Sequence, residues 1–250
     1  MDTAFVIGNG ESRNIFPIDK LKGHGTVYGC NAIYRDHPDL CDHIVSVNAD
    51  MHEELAQWHN GRATPTIHGL QDIPQWDFIC EGDGIHDRPE GLKLYRLWHG
   101  GNAKKKSIKR IDFANSRGSG CSAVLMAADA GHKTVIILAF DIMGAQQWEM
   151  SEPSRIQNNI YKNTRNYGDR LSMKAYLKYE WMFQLRQIIR RYPKTEFRFI
   201  NRKEYLEQNP FLRHYFDQPN IRVGIYADLM RWVEGRQDAI QWRALKNPRA

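Results

Sequence analysis

Nowhere in its 250 residues does the chain carry an apolar run near the roughly 20 residues that a membrane-crossing helix needs. Its opening, MDTAFVIGNG, also lacks the basic lead and long apolar segment of a secretory signal. No membrane span and a cytoplasmic location are therefore the expectations. Cysteine is scarce: Cys30, Cys41, Cys80 and Cys121 stand far apart with no C-x-x-C pair, which excludes a zinc knuckle and a dithiol redox motif. Reduced, buried thiols are expected instead. The ten histidines include no H-E-x-x-H or other ligand spacing, and Cys121 has no paired histidine that would make it a nucleophile. There are no internal repeats.

What is present is ordinary globular material, with 42% hydrophobic and 26% charged residues. The length suits one domain with insertions. A formal charge of +6 suits anionic partners such as nucleotides, and equally suits plain solubility. Lys104, Lys105, Lys106, Lys109 and Arg110 form the one local concentration of charge. Without interleaved aromatics it reads as a solvated loop, so nucleic acid is not favoured as a partner.

The runs TAFVIG (3–8), TVYGC (26–30), HIVSVN (43–48), TVIILAF (134–140) and EFRFI (196–200) have the β-branched and aromatic content of strands. Between them, 119–130 and 172–191 read as helices. The second repeats Ala175, Tyr179, Met182, Leu185 and Ile189 at helical spacing. Strands alternating with helices predict an α/β fold with a mostly parallel sheet. TVIILAF barely alternates, as a central strand covered on both faces should. In SGCSAVLMAADAG, Ser119 is expected as N-cap and Gly131 just beyond the helix end. Residues 81–118 show no sustained period, nor do 142–171, where Trp148, Tyr161 and Tyr167 predict a lid-like insertion. The core is expected over 1–210 and a helical extension over 211–250, with Ile225, Leu229 and Val233 at i+4 spacing and Trp232 and Trp242 nearby.

In open α/β sheets ligands bind beyond the carboxyl ends of the strands. Gly8, Asn9 and Gly10 follow the first candidate strand, Asn31 the second, Asn48 and Asp50 the third, and Asp141 the one near 140. The first turn is G-x-G-x-x-R, with Arg13 where a dinucleotide fingerprint needs its third glycine. Asn31 stands where NAD-binding chains carry an acid, which argues against a dehydrogenase. Ser119 and Gly120 open a helix whose free N–H groups suit an anion. Glu81 and Asp83 imitate a D-x-D metal pattern, but with flanking glycines they equally make a turn.

Taken in order, FVIGNGES, YGCNAIY, VSVNAD, RGSGCSAVLMAADAGHKTVIILAFD and KTEFRFIN resemble bacterial sialyltransferases of glycosyltransferase family 42. They also resemble the wider set sharing that Rossmann-like core, which includes a pterin diphosphokinase group and small tailed-phage proteins. The likeness runs in islands over about residues 3–200. It implies that Gly8, Asn9, Gly10, Ser12, Asn31, Asn48 and Ser119 contact a cytidine nucleotide. The family's histidine base is missing before the late helix. The resemblance therefore leaves Tyr161 and Tyr167 to steady a leaving phosphate and Asp169 to take the acceptor's proton. The implied activity is glycosyl transfer from a nucleotide-sugar, a CMP-sugar being one candidate, to an unknown acceptor without a required cofactor. A magnesium-dependent diphosphokinase and a non-catalytic phage nucleotide-binding or assembly protein are the alternatives. The acceptor and the oligomeric state stay open, and a phage origin would place the protein in host cytoplasm.

Overall fold

The computed structural model describes residues 1–60, 62–68, 118–141, 159–167, 175–208, 212, 216–236 and 242–243. Seven strands appear in chain order: β1 (Thr3–Ile7), β2 (Thr26–Cys30), β3 (His43–Val45), β4 (Thr66–His68), β5 (Thr134–Leu138), β6 (Glu196–Asn201) and β7 (Ile221–Ile225). Helices α1 (Ala49–His59), α2 (Ser119–Asp129), α3 (Ala175–Arg191), α4 (Lys203–Gln208) and α5 (Tyr226–Val233) accompany them. Short 3-10 turns at Glu11–Ile15, Ile18–Leu21 and Asn31–Arg35 fill the first crossovers. The strands form one sheet in the order β4-β3-β2-β1-β5-β6-β7, and every pairing is parallel. The chain winds outward from β1 to β4, crosses back, and winds the other way from β5 to β7. This is a single Rossmann-like α/β domain with its topological switch point between β1 and β5.

Both faces of the sheet are covered, which explains why its central strands read as unbroken apolar runs. Ala4, Val6, Val135, Ile137, Phe197 and Phe199 pack on one face with Val124 and Leu125 of α2 and Leu185 and Ile189 of α3. Phe5, Ile7, Ile136 and Leu138 point to the other face, against Ile18 and Leu21, Leu55 of α1 and Leu229 of α5. Cys30, Cys41 and Cys121 are buried, and desolvation pushes the Cys30 thiol up to about 12. Among the described residues no helix is long and apolar enough to cross a membrane.

All five expected strands form, and α2 and the described part of α3 follow the expected helices. Gly131 sits just past α2 with φ +83°, the left-handed conformation that glycine adopts without a Cβ penalty. The α2 cap differs from expectation. Gly118, extended at φ −77° and ψ 140°, is the N-cap, and Ser119 is the first helical residue, its hydroxyl used elsewhere. The stretch after 210 is also more than helical. Ile221–Ile225 joins the sheet beside β6 in parallel register before α5 begins, with Ile221 and Val223 buried. Strand β4 and helix α1 had too few apolar residues to be read ahead of the structure.

Gly8 and Gly10 are explained by close packing at the switch point. The Gly8 N–H donates to Leu138 O at 2.9 Å and the Gly10 N–H to Ala139 O at 2.9 Å, so β1 stays pressed against β5 beyond its formal end. A Cβ on Gly8 would lie 2.4 Å from Ala139 O, and one on Gly10 would lie 2.6 Å from both Ala139 O and the Asp141 carboxyl carbon. Gly10→Ala should therefore cost about 1–3 kcal/mol, the range for forced overpacking, seen as a lower urea midpoint with an unchanged slope. An unchanged midpoint would contradict this close approach.

Candidate functional site

The carboxyl ends of β1 and β5 carry two linked clusters, one on each side of the switch point. On the β5 side, Asp141 accepts from the Ser12 N–H at 2.8 Å, the Ser12 hydroxyl at 2.6 Å and Asn201 Nδ2 at 3.1 Å. The Tyr226 hydroxyl lies 2.9 Å from Ser12 Oγ and accepts from the Ala139 N–H at 3.1 Å. Burial drives the Tyr226 phenol far above its ordinary range. Between them Ala139 is held at φ +59°, where a Cβ is strained. Such strain persists only when the surroundings over-determine it, and here the Gly10 and Tyr226 bonds do so.

On the β2 side, Asn9 is buried, and its Nδ2 donates to Cys30 O at 3.0 Å and to the Tyr167 hydroxyl at 3.1 Å. Tyr167 in turn meets the Asn31 side chain. Asn31 opens its 3-10 turn at φ +51°, a left-handed position that asparagine tolerates better than most residues. Its Oδ1 accepts from the Ser119 hydroxyl at 2.8 Å, and Ser119 Oγ accepts from the Val47 N–H at 3.2 Å. One hydroxyl thus ties α2, β2 and the end of β3 together. Gly120, in the first turn of α2, packs so closely on Phe140 that a Cβ would lie 2.8 Å from the ring.

Asn48 and Asp50 lie at the start of α1, both exposed. Asn48 is that helix's N-cap, accepting from the Met51 N–H at 3.2 Å. Asp50 offers its main-chain oxygen to Asn166 at 3.4 Å. The structure therefore brings Gly8, Asn9, Gly10, Ser12, Asn31, Ser119, Gly120, Asp141 and Tyr167 to the carboxyl edge around the switch point, with Asn48 and Asp50 at its β3 end. Asp169, Glu81, Asp83, Cys80 and Trp148, and the basic run 104–110, lie outside the described residues.

Of the expected lid, residues 159–167 are described, and they are strapped onto the domain. Gly10 and Asn159 form an antiparallel bridge, and the Ile160 N–H donates to Asn9 O at 3.0 Å. Tyr161 and Tyr167 pack their rings 5.7 Å apart in the core. Arg13, only 3% exposed, holds this strap: its guanidinium bonds Asn9 Oδ1 at 3.3 Å, Asp36 at 2.6 Å and the Tyr161 hydroxyl at 2.9 Å. The residue that breaks the dinucleotide fingerprint is thus a buried cation with a carboxylate partner. Burial raises both phenols, Tyr161 beyond its ordinary range and Tyr167 to about 12, so at neutral pH both are protonated.

A second clamp lies beside the first. Glu54 of α1 takes Arg35 Nε at 2.9 Å, Asn166 Nδ2 at 2.7 Å and the Tyr34 hydroxyl. Arg35 also reaches Thr164 Oγ1 at 2.7 Å and Arg165 O at 2.9 Å. Asp36, Glu54, Asn201 and Tyr226 were not singled out from sequence, because nothing in their spacing links them. Asn201 alone had a readable signal, as a polar residue ending a strand.

Burial by itself would raise the Glu54 carboxyl, but hydrogen bonds from Tyr34 and Arg35 outweigh it and hold it below its ordinary value. A depressed carboxylate contributes stability that is present above its unfolded pKa and lost as pH falls through the folded one. The stability difference between wild type and Glu54→Gln should be constant above about pH 5.5 and shrink below about pH 4.5, measured by urea unfolding across that range. A difference independent of pH would remove Glu54 as the strap's anionic anchor. Comparison with protein-family models, curated proteins and solved structures returned no match, so the site is read from its own geometry.

Proposed function

We propose that the protein binds a nucleotide across the switch point and acts as a glycosyltransferase-like enzyme on a nucleotide-activated sugar, a CMP-sugar being one candidate donor. The observation that carries this reading is the convergence of Asn31, Ser119 and Tyr167, with Asn9 behind them, at the carboxyl edge where Rossmann-like sheets take ligands. The side-chain amide of Asn31 can donate as well as accept, so it suits a base or a ribose hydroxyl without adding negative charge. The first turn of α2 adds main-chain N–H donors for a phosphate.

In the proposed reaction an acceptor hydroxyl attacks the donor's anomeric carbon, the bond to phosphate breaks, and the nucleotide leaves with its electron pair. Asp169, expected from sequence as the base, takes the hydroxyl proton. Tyr161 and Tyr167 serve the leaving group through the groups they hold, Arg13 and Asn31. No cofactor is required on this reading. The magnesium-dependent diphosphokinase alternative would lose activity with EDTA. A binding protein without turnover is favoured by one specific feature: the Tyr161 and Tyr167 hydroxyls are already engaged by Arg13 and Asn9.

Thermal-shift screening against nucleotides and sugar-nucleotides tests the binding step. A ligand at about 100 times its dissociation constant stabilises by about 2.7 kcal/mol. Asn31→Gly keeps the left-handed backbone accessible while deleting the amide. It should remove most of that shift and leave the unliganded melting temperature within a few degrees. Donor cleavage followed by chromatography then separates an enzyme from a binding protein. No shift with any nucleotide would sink the enzyme readings and the binding reading together.

A further inference from the structure

We propose that Arg202 is an oxyanion-binding residue, taking a phosphate or carboxylate at the carboxyl end of β6. Arg202 follows Asn201, the last residue of β6, and its side chain is 33% exposed. Its main-chain N–H donates to Asn201 Oδ1 at 2.7 Å. Its guanidinium, by contrast, makes no hydrogen bond with the described residues. The nearest carboxylate is Asp141, at 3.7 Å from Nη2, an ion-pair distance beyond hydrogen-bond reach.

Several arginines among the described residues spend their donors. Arg13 bonds Asn9, Asp36 and Tyr161, and Arg35 bonds Glu54, Thr164 and the Arg165 carbonyl. Arg198 donates to Glu196 at 2.7 Å, Arg222 to the Pro219 carbonyl at 2.7 Å, and Arg231 to Asp228 at 2.8 Å. Arg202 is held differently. Asp141 is held by Ser12 and Asn201, which bond both of its oxygens, and its charge keeps the guanidinium close. The planar N–H fork is partly exposed and without a hydrogen bond to the described residues, and such a fork can hold a carboxylate or phosphate in bidentate fashion.

The position is at the ligand end of the sheet. From β2, which Asn31 follows, to β6 is three strand spacings across β1 and β5, roughly 14 Å. A nucleotide-linked substrate seated at Asn31 would extend to Arg202 with a second anionic group. That placement rests on the function proposed above, whereas the oxyanion site itself does not.

Inorganic phosphate and acetate, titrated separately at ionic strength held constant with chloride, distinguish the two oxyanion sources by thermal shift. One of them should stabilise the wild type saturably. Arg202→Gln should weaken that anion's dissociation constant by about tenfold or more, and Arg202→Lys should fall between. In the wild type the same anion should protect Arg202 from phenylglyoxal, read by peptide mass spectrometry, which needs no variant to fold. The proposal is overturned if neither anion shifts the melting curve, if Arg202→Gln responds like wild type, or if labelling of Arg202 ignores both anions. Cytidine, which has no phosphate, separates the two ideas. Cytidine binding retained alongside a lost anion response removes Arg202 alone. An anion response without cytidine binding removes the cytidine-nucleotide reading alone.

Discussion

The carboxyl edge of this sheet depends on how closely the end of β1 approaches the end of β5. Two main-chain bonds, Gly8 N–H to Leu138 O and Gly10 N–H to Ala139 O, carry the pairing past the strands proper. That approach leaves no room for a Cβ at either glycine, and it delivers the Ser12 N–H and hydroxyl to Asp141. Once Asp141 is held, Asn201 at the end of β6, Arg202 just beyond it and Tyr226 at the start of α5 take their positions around it. The β7 side of the fold is thereby locked to the first turn of the chain.

Charge is arranged with similar economy on the other side. Arg13 and Glu54 are both nearly inaccessible, and each has a partner of opposite sign as well as neutral hydrogen bonds. Buried charge is tolerated when its remaining donors and acceptors are filled, and costly when one partner is removed. The two clamps fasten residues 159–167 over Asn9, which turns part of an unpatterned segment into a wall of the site.

Much of the architecture was legible in advance. TVIILAF read as a strand covered on both faces, and SGCSAVLMAADAG carried both its small packing residues and its terminal glycine. The polar residues after the strands were readable because a parallel sheet places all its carboxyl ends together. Asn9, Asn31 and Ser119 do meet across one edge through Tyr167 and the Ser119 hydroxyl. Strand β4 has three residues and α1 a weakly apolar face, so neither had a pattern long enough to read.

The sequence by itself determined the α/β class, the parallel central strands and the set of polar residues available at their ends, since these follow from local periodicity. Only the tertiary structure decided what those residues do to one another. Gly8 and Gly10 are small because β5 lies against them, and Ser119 ties α2 to β2 and the end of β3. Arg13 is a buried fastener, and Arg202 stands beside Asp141 with no guanidinium hydrogen bond to the described residues. Such distinctions join residues as far as 148 positions apart in the chain. They depend on which donors remain unpaired after packing, and no spacing in the sequence records that.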